Sequence, residues 1–167
     1  MSYKMSLETF PVAGVSKLLA TNYGAHIFDV TASTDLWNGA LITKGSMISF
    51  DNYEEGEATD INAEIVWEAA NGNFYVEVLE DTDTLFVYNV PYTELDYTTE
   101  SESEKYFYIA EGEVARAHQL KAGDIFELSE DGFDGTPEVG ATITSISDKK
   151  PVVTSSSDSD TDTETEE

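Results

Sequence analysis

The chain has no cysteine, which removes disulfides, thiolate zinc sites and thiol catalysis together. Basic residues are scarce: eight Lys and Arg stand against 34 Asp and Glu, a formal charge of −26. That sign repels phosphates and excludes ordinary nucleic-acid binding. Long apolar runs are missing as well, so no segment is expected to span a bilayer and no membrane partner is implied. Residues 12–20 are the most apolar N-terminal stretch, but Lys17 interrupts them and Glu8 precedes them. A secretory signal lacks such charges, and the chain is expected to be made and kept inside the cell.

What the chain does have is enough length and apolar content for one folded domain. Its 167 residues are 40% hydrophobic, with nine Tyr and eight Phe, too many for a wholly disordered chain. The charge divides it in three. Residues 1–25 hold Lys4, Lys17 and only Glu8, and read as a near-neutral N-terminal arm. Residues 26–150 carry 27 acids against six bases and read as the folded body. Residues 151–167 hold six acids and no base; after Pro-Val-Val they are only Ser, Thr, Asp and Glu. Such a tail cannot offset its ordering entropy and is expected to be disordered.

The body reads as strands. Candidates are residues 26–32, 40–43, 47–50, 61–67, 74–79, 84–90, 105–110, 114–120, 125–128 and 141–146, with turns at Asn38-Gly39, Lys44-Gly45 and Asn71-Gly72. Asn71-Gly72 suggests a type I′ hairpin turn. Ile61, Ala63, Ile65 and Trp67 alternate onto one face, which places Trp67 in the core. About nine short strands imply an all-β sandwich or barrel. The best helix candidate, residues 15–21, is short, and residues 93–104 read as an exposed loop. Two segments echo each other, residues 43–50 and 120–127, each a Lys/Gly turn leading into a strand.

Chemistry is thin. His26 and His118 have nothing local to make them a dyad, and each reads as an ordinary surface or sheet-face histidine. Among 34 carboxylates, chance pairs are guaranteed and prove nothing about acid–base catalysis. Residues 80–83 begin like a calcium loop, but Phe86 and Tyr92 stand where such a loop needs Gly and Glu. Residues 129–135 are acidic and glycine-rich, which a simple turn also explains. No nucleophile elbow, phosphate-binding loop or zinc-protease motif occurs, so neither an enzyme nor a cofactor is expected. Phe86 and Tyr88 share one strand face with Leu85 and Val87 on the other, and Tyr106 and Tyr108 likewise oppose Phe107 and Ile109. Strands apolar on both faces are buried on both, in a core or at a subunit contact.

Several phrases together carry a resemblance: Asn22-Tyr-Gly-Ala-His-Ile-Phe-Asp-Val30, Asn38-Gly39, Ala70-Asn-Gly-Asn-Phe-Tyr-Val-Glu77, Val114-Ala-Arg-Ala-His-Gln-Leu-Lys-Ala-Gly-Asp124 and Gly132-Phe-Asp-Gly-Thr-Pro-Glu-Val-Gly140. Over residues 20–146 the chain resembles small head-associated structural proteins of tailed bacteriophages of Gram-positive hosts. The resemblance implies a non-enzymatic virion protein that decorates or stabilises the capsid surface. Its partner would be the major capsid protein or another virion protein, and a homo-oligomer is compatible with many copies on one shell. No catalytic residue carries over. The near-neutral arm would then dock, through Leu7, Phe10, Val12, Val15, Leu18 and Leu19, with Trp37 as a further exposed contact. Two other classes fit the composition: an acidic DNA mimic that inhibits a nucleic-acid enzyme, and a β-sandwich module that binds carbohydrate or protein.

Overall fold

The computed structural model describes residues 10–19, 26–89 and 107–154. Among these are eleven strands and one 3-10 turn, Glu130–Gly132, so the chain is all-β. Five strands close into a barrel in the order β2 (Ile27–Thr31), β4 (Asn52–Glu57), β3 (Leu41–Ser49), β7 (Leu85–Val87) and β8 (Val114–Gln119). Six form an open sheet in the order β1 (Ala13–Lys17), β9 (Ile125–Leu128), β6 (Phe74–Val78), β5 (Asp60–Glu68), β10 (Thr142–Ser147) and β11 (Lys150–Thr154). The barrel and the sheet are therefore both present, where the sequence suggested one or the other.

Two apolar clusters follow from this arrangement. The barrel interior is filled by Val30, Leu36, Ile42, Leu85, Val87 and Ile109 with four alanines, Ala32, Ala40, Ala115 and Ala117. Small side chains suit the narrow lumen of a five-stranded barrel. The second cluster brings Leu41, Phe86 and Leu120 together with the inward residues of the sheet, among them Ile65, Val76, Phe126, Leu128 and Ile143. Strand β7 belongs to both: Leu85 and Val87 enter the barrel while Phe86 joins the sheet. Apolar residues on both faces of this strand are buried on both, as their pattern implies.

The structure corrects several boundaries. Residues 15–18 hold no helix, because Ala13–Lys17 pairs with β9 and Leu18 is buried in the second cluster, and residues 20–21 lie outside the described residues. The arm is thus anchored from Val12 onward: Val12 exchanges hydrogen bonds with Ser129, and Leu19 N–H donates to the Asp124 carboxylate at 3.0 Å. At the other end Lys150–Thr154 pairs with β10, so the tail cannot begin at 151, and the rest of it (155–167) lies outside the described residues. The expected loop over 93–104 and residues 105–106 of the expected strand over 105–110 lie outside as well; residues 107–110 form no strand, and Ile109 makes only a bridge with Leu36.

Turn chemistry explains the remaining differences. Lys44-Gly45 does not turn; β3 runs through it, with a bulge between Lys44 and Met47 absorbing the irregularity. Residues 120–124, in contrast, do turn the chain from β8 into β9, so the echo is not a repeated hairpin. Residues 69–73 link β5 to β6 as a hairpin, but only Gly72 has positive φ, and its N–H bonds back to the Ala69 carbonyl. The turn with two positive φ values is Asp148-Lys149, between β10 and β11. Gly39 has φ +92°, and a Cβ there would lie 2.3 Å from the Leu128 side chain, so the barrel and sheet can approach only at a glycine.

Because Leu18 is a core residue, Leu18→Ala is expected to cost about 2–4 kcal/mol in denaturant unfolding. Truncation after Lys149 removes β11 with the buried Pro151 and is expected to lower the melting temperature by several degrees. Wild-type stability in either variant would mean that these end strands are not part of the cooperative unit.

Candidate docking surface

The β3–β4 hairpin is the most exposed apolar element among the described residues. Every residue from Lys44 to Phe50 is exposed, and bulges between Lys44 and Met47 and between Met47 and Ser49 interrupt the alternation of β3. Met47 and Ile48 are more than half exposed, at 56% and 55%, and Phe50 at the turn is 95% exposed. β7 pairs with β3 only at Leu41 and Ile42, so the outer part of β3 is paired on one side only, with β4, which itself stays paired with β2 as far as Asn52. Asp51 closes the turn at φ 58°, which lets Phe50 project from the tip.

The base of the hairpin is held firmly. The Lys44 ammonium lies 4.2 Å from the Phe28 ring centroid and 4.8 Å from that of Tyr53, and the two rings meet edge to face. On β4, the Glu55 carboxylate accepts hydrogen bonds from the Ser33 N–H at 2.8 Å, the Ser33 hydroxyl at 2.6 Å and the Thr34 N–H. Lys149 completes this group with an ion pair to Glu55 at 3.3 Å and a hydrogen bond to the Thr34 hydroxyl. The Lys149 carbonyl also accepts from Leu41 N–H. Barrel and sheet are therefore clamped beside a cleft of about 270 Å³. Burial alone would raise the Glu55 pKa, but hydrogen bonds from Ser33 and the Lys149 charge outweigh it and hold the carboxyl below its ordinary value.

The residues expected to dock are mostly committed elsewhere. Leu7 lies outside the described residues. Phe10 stacks on Tyr108 at 5.1 Å, Val12 and Val15 lie along the β1 edge, and Leu18 is buried. Of the described arm residues expected to dock, Leu19 alone is exposed. Trp37 is half-buried against the barrel core, with the Lys149 and Lys150 ammonium groups 5.8 and 5.7 Å from its ring. Trp67, placed in the core by alternation, is 65% exposed instead. Of the hairpin, β3 was legible only as two strands, residues 40–43 and 47–50, split by an expected turn, and its exposure was not legible because its apolar residues look like any strand core.

His118 is also corrected. It is buried, its Nδ1 lies 3.3 Å from the Phe86 carbonyl, and its ring meets Tyr88. Burial, with Arg116 nearby, lowers its pKa, and the Phe86 carbonyl opposes this only in part. Among the described residues no three His, Asp or Glu gather to hold a metal ion.

Both shifted groups give the same sign. The unfolded chain protonates His118 near 6.5 while the folded one resists, so stability is lost as pH falls from that value through the lower folded one. Glu55 adds a second loss below about 4.5, the same logic applied to a carboxyl held ionised. His118→Gln is expected to flatten the first step and Glu55→Gln the second, read by urea unfolding across pH. Unchanged profiles would show that neither site carries the linkage.

No known protein family, no curated protein and no solved structure matches this chain.

Proposed function

We propose that the chain is a non-enzymatic structural protein of a tailed-phage virion, carried on the outside of the head shell and docked there through the β3–β4 hairpin. The observation that supports this most is the tip itself: Met47, Ile48 and Phe50 stand in water on a protein of charge −26. Apolar side chains projecting from a rigid base are what a protein partner buries. The phrase-level resemblance supplies the kind of partner, a head shell protein. The charge supports the outer side of the shell, since packaged DNA repels so acidic a body.

Magnitudes make the reading specific. Full burial of each tip side chain is worth about 1.5–3 kcal/mol. Association costs on the order of 4–15 kcal/mol in lost freedom and ordering. One hairpin alone therefore binds weakly, and stable occupancy needs a partner that presents more contact or holds several copies at once. A symmetric shell does both. The arm, which the sequence suggested as the anchor, has its described apolar residues largely engaged within the fold.

Co-sedimentation with heads assembled without this protein tests the reading. The full chain is expected to pellet with the heads, and Ile48→Ser combined with Phe50→Ser is expected to stay in the supernatant with an unchanged melting temperature. Equal pelleting of the double variant would remove the hairpin as anchor. If the full chain binds no head, the virion assignment falls.

A further inference from the structure

The open sheet has a second face, and its composition is unlike the hairpin's. On β5, Ile61, Ala63 and Ile65 point inward toward the barrel. Strict alternation would send Trp67 the same way. A bulge prevents it: Ile65 pairs with Val76 and Trp67 with Tyr75, so Val66 is an extra residue opposite a single step of β6. The indole is thereby turned outward into water.

It does not stand alone there. Residues paired across antiparallel strands share a face, and Trp67 pairs with Tyr75, Tyr75 with Glu127, and Glu127 with Gly14. The result is one transverse row over four adjacent strands, about 14 Å long at the usual strand spacing. Glu127 is fixed in it: its Oε1 accepts from Asn73 Nδ2 at 2.9 Å and from Asn71 Nδ2 at 3.5 Å. Its Oε2 accepts no hydrogen bond from the described residues and lies over Gly14, where an added Cβ would come within 2.9 Å. Beside this row, Glu64 pairs with Glu77 and Glu77 with Ile125.

We propose that this row, Trp67–Tyr75–Glu127, is a binding platform for a neutral oligosaccharide. The exposed indole, with Tyr75 paired across from it, offers aromatic faces of the kind that suit the C–H face of a pyranose. The held carboxylate, with an acceptor oxygen to spare, suits the hydroxyl rim. A protein partner would need a contiguous apolar patch of several hundred Å². Here two rings are bordered by Glu64, Glu77, Glu127 and two asparagines, so the apolar area ends at once. Stacked nucleobases would meet the same rings, but their phosphates would face these carboxylates on a chain of −26. Anionic glycans are disfavoured for the same reason, which leaves neutral sugars. The platform is on the face away from the barrel and is independent of the docking proposed for the hairpin.

Native electrophoresis through gels cast with soluble β-glucan, galactomannan or dextran tests this, with hyaluronan as the anionic control. The full chain is expected to be retarded in at least one neutral gel and not in hyaluronan. Trp67→Ala is expected to weaken that retardation at least tenfold and Glu127→Gln severalfold, both at unchanged melting temperature because the indole is exposed. Equal mobility in every gel overturns the proposal, as does undiminished retardation of Trp67→Ala. Retardation in hyaluronan as strong as in the neutral gels overturns the choice of neutral sugars. A wild-type dimer in sedimentation velocity that Trp67→Ala makes monomeric would instead assign the row to a second copy of the chain, and the glycan reading would fall.

Discussion

The contact on which the fold depends is that between Phe86 of the barrel and Phe126 of the sheet, whose rings lie 4.8 Å apart. The barrel cannot supply a large core by itself. Four of its interior residues are alanines, and the bulkier side chains of the second cluster gather on its outside, against the sheet. The sheet in turn has one apolar face, which among the described residues the barrel covers. Each half therefore completes the other, and the larger of the two apolar clusters lies between them. Leu18, Leu41, Leu120 and Leu128 extend the contact, and Gly39 lets the layers approach where any side chain would collide with Leu128.

Electrostatics works against this compact state rather than for it. Among the described residues there is one ion pair, Glu55 with Lys149. It is placed where it has most effect, joining barrel to sheet, and its carboxylate is satisfied by hydrogen bonds as well as by charge. The other described acids have too few cations to pair with. Asp124 is a buried exception, and it serves as an acceptor for the backbone N–H groups of Leu19 and Lys121. Among the described residues, carboxylates serve as hydrogen-bond acceptors for backbone and side-chain donors, as Glu55, Asp124 and Glu127 do, or as a repulsive coat.

What was legible in the sequence was whatever repeats at period two. Strands β2, β5, β6, β8, β9 and β10 stand where alternation or β-rich composition puts them, and the two-faced Leu85-Phe86-Val87 is buried on both sides. Strands β1, β4 and β11 were not legible, and each for its own reason. Asn52–Glu57 carries three glutamates and a glycine; it is a strand because β2 and β3 pair with it on both sides. Lys150–Thr154 follows a turn of Asp and Lys at positive φ, residues that give no glycine signal. Ala13–Lys17 has its partner 108 or more residues away, at Ile125–Leu128, which no local pattern reports. The two exposed features were hidden by bulges, since a single extra residue reverses every side chain that follows it. That is why Trp67 reads as core and is not.

The acidic coat and the exposed apolar residues are two parts of one physical arrangement. A hairpin tip of Met47, Ile48 and Phe50 on a neutral protein would be an invitation to self-association, because the same tip on another copy is the nearest apolar surface. At −26 per chain two copies repel strongly at close range, and even with a screening length of about 8 Å the acids around each tip meet before the tips do. Asp51 and Glu54 stand within a few residues of Phe50, so the repulsion acts at the contact itself. A partner with fewer acids at its surface does not meet that barrier. Charge thus sets which surfaces can reach the apolar side chains, and the side chains set what is gained once they are reached. The same division holds on the sheet, where Glu64, Glu77 and Glu127 border the rings of Trp67 and Tyr75. In both places the acids do not compete with the apolar contact for binding; they restrict it to uncharged or less acidic visitors.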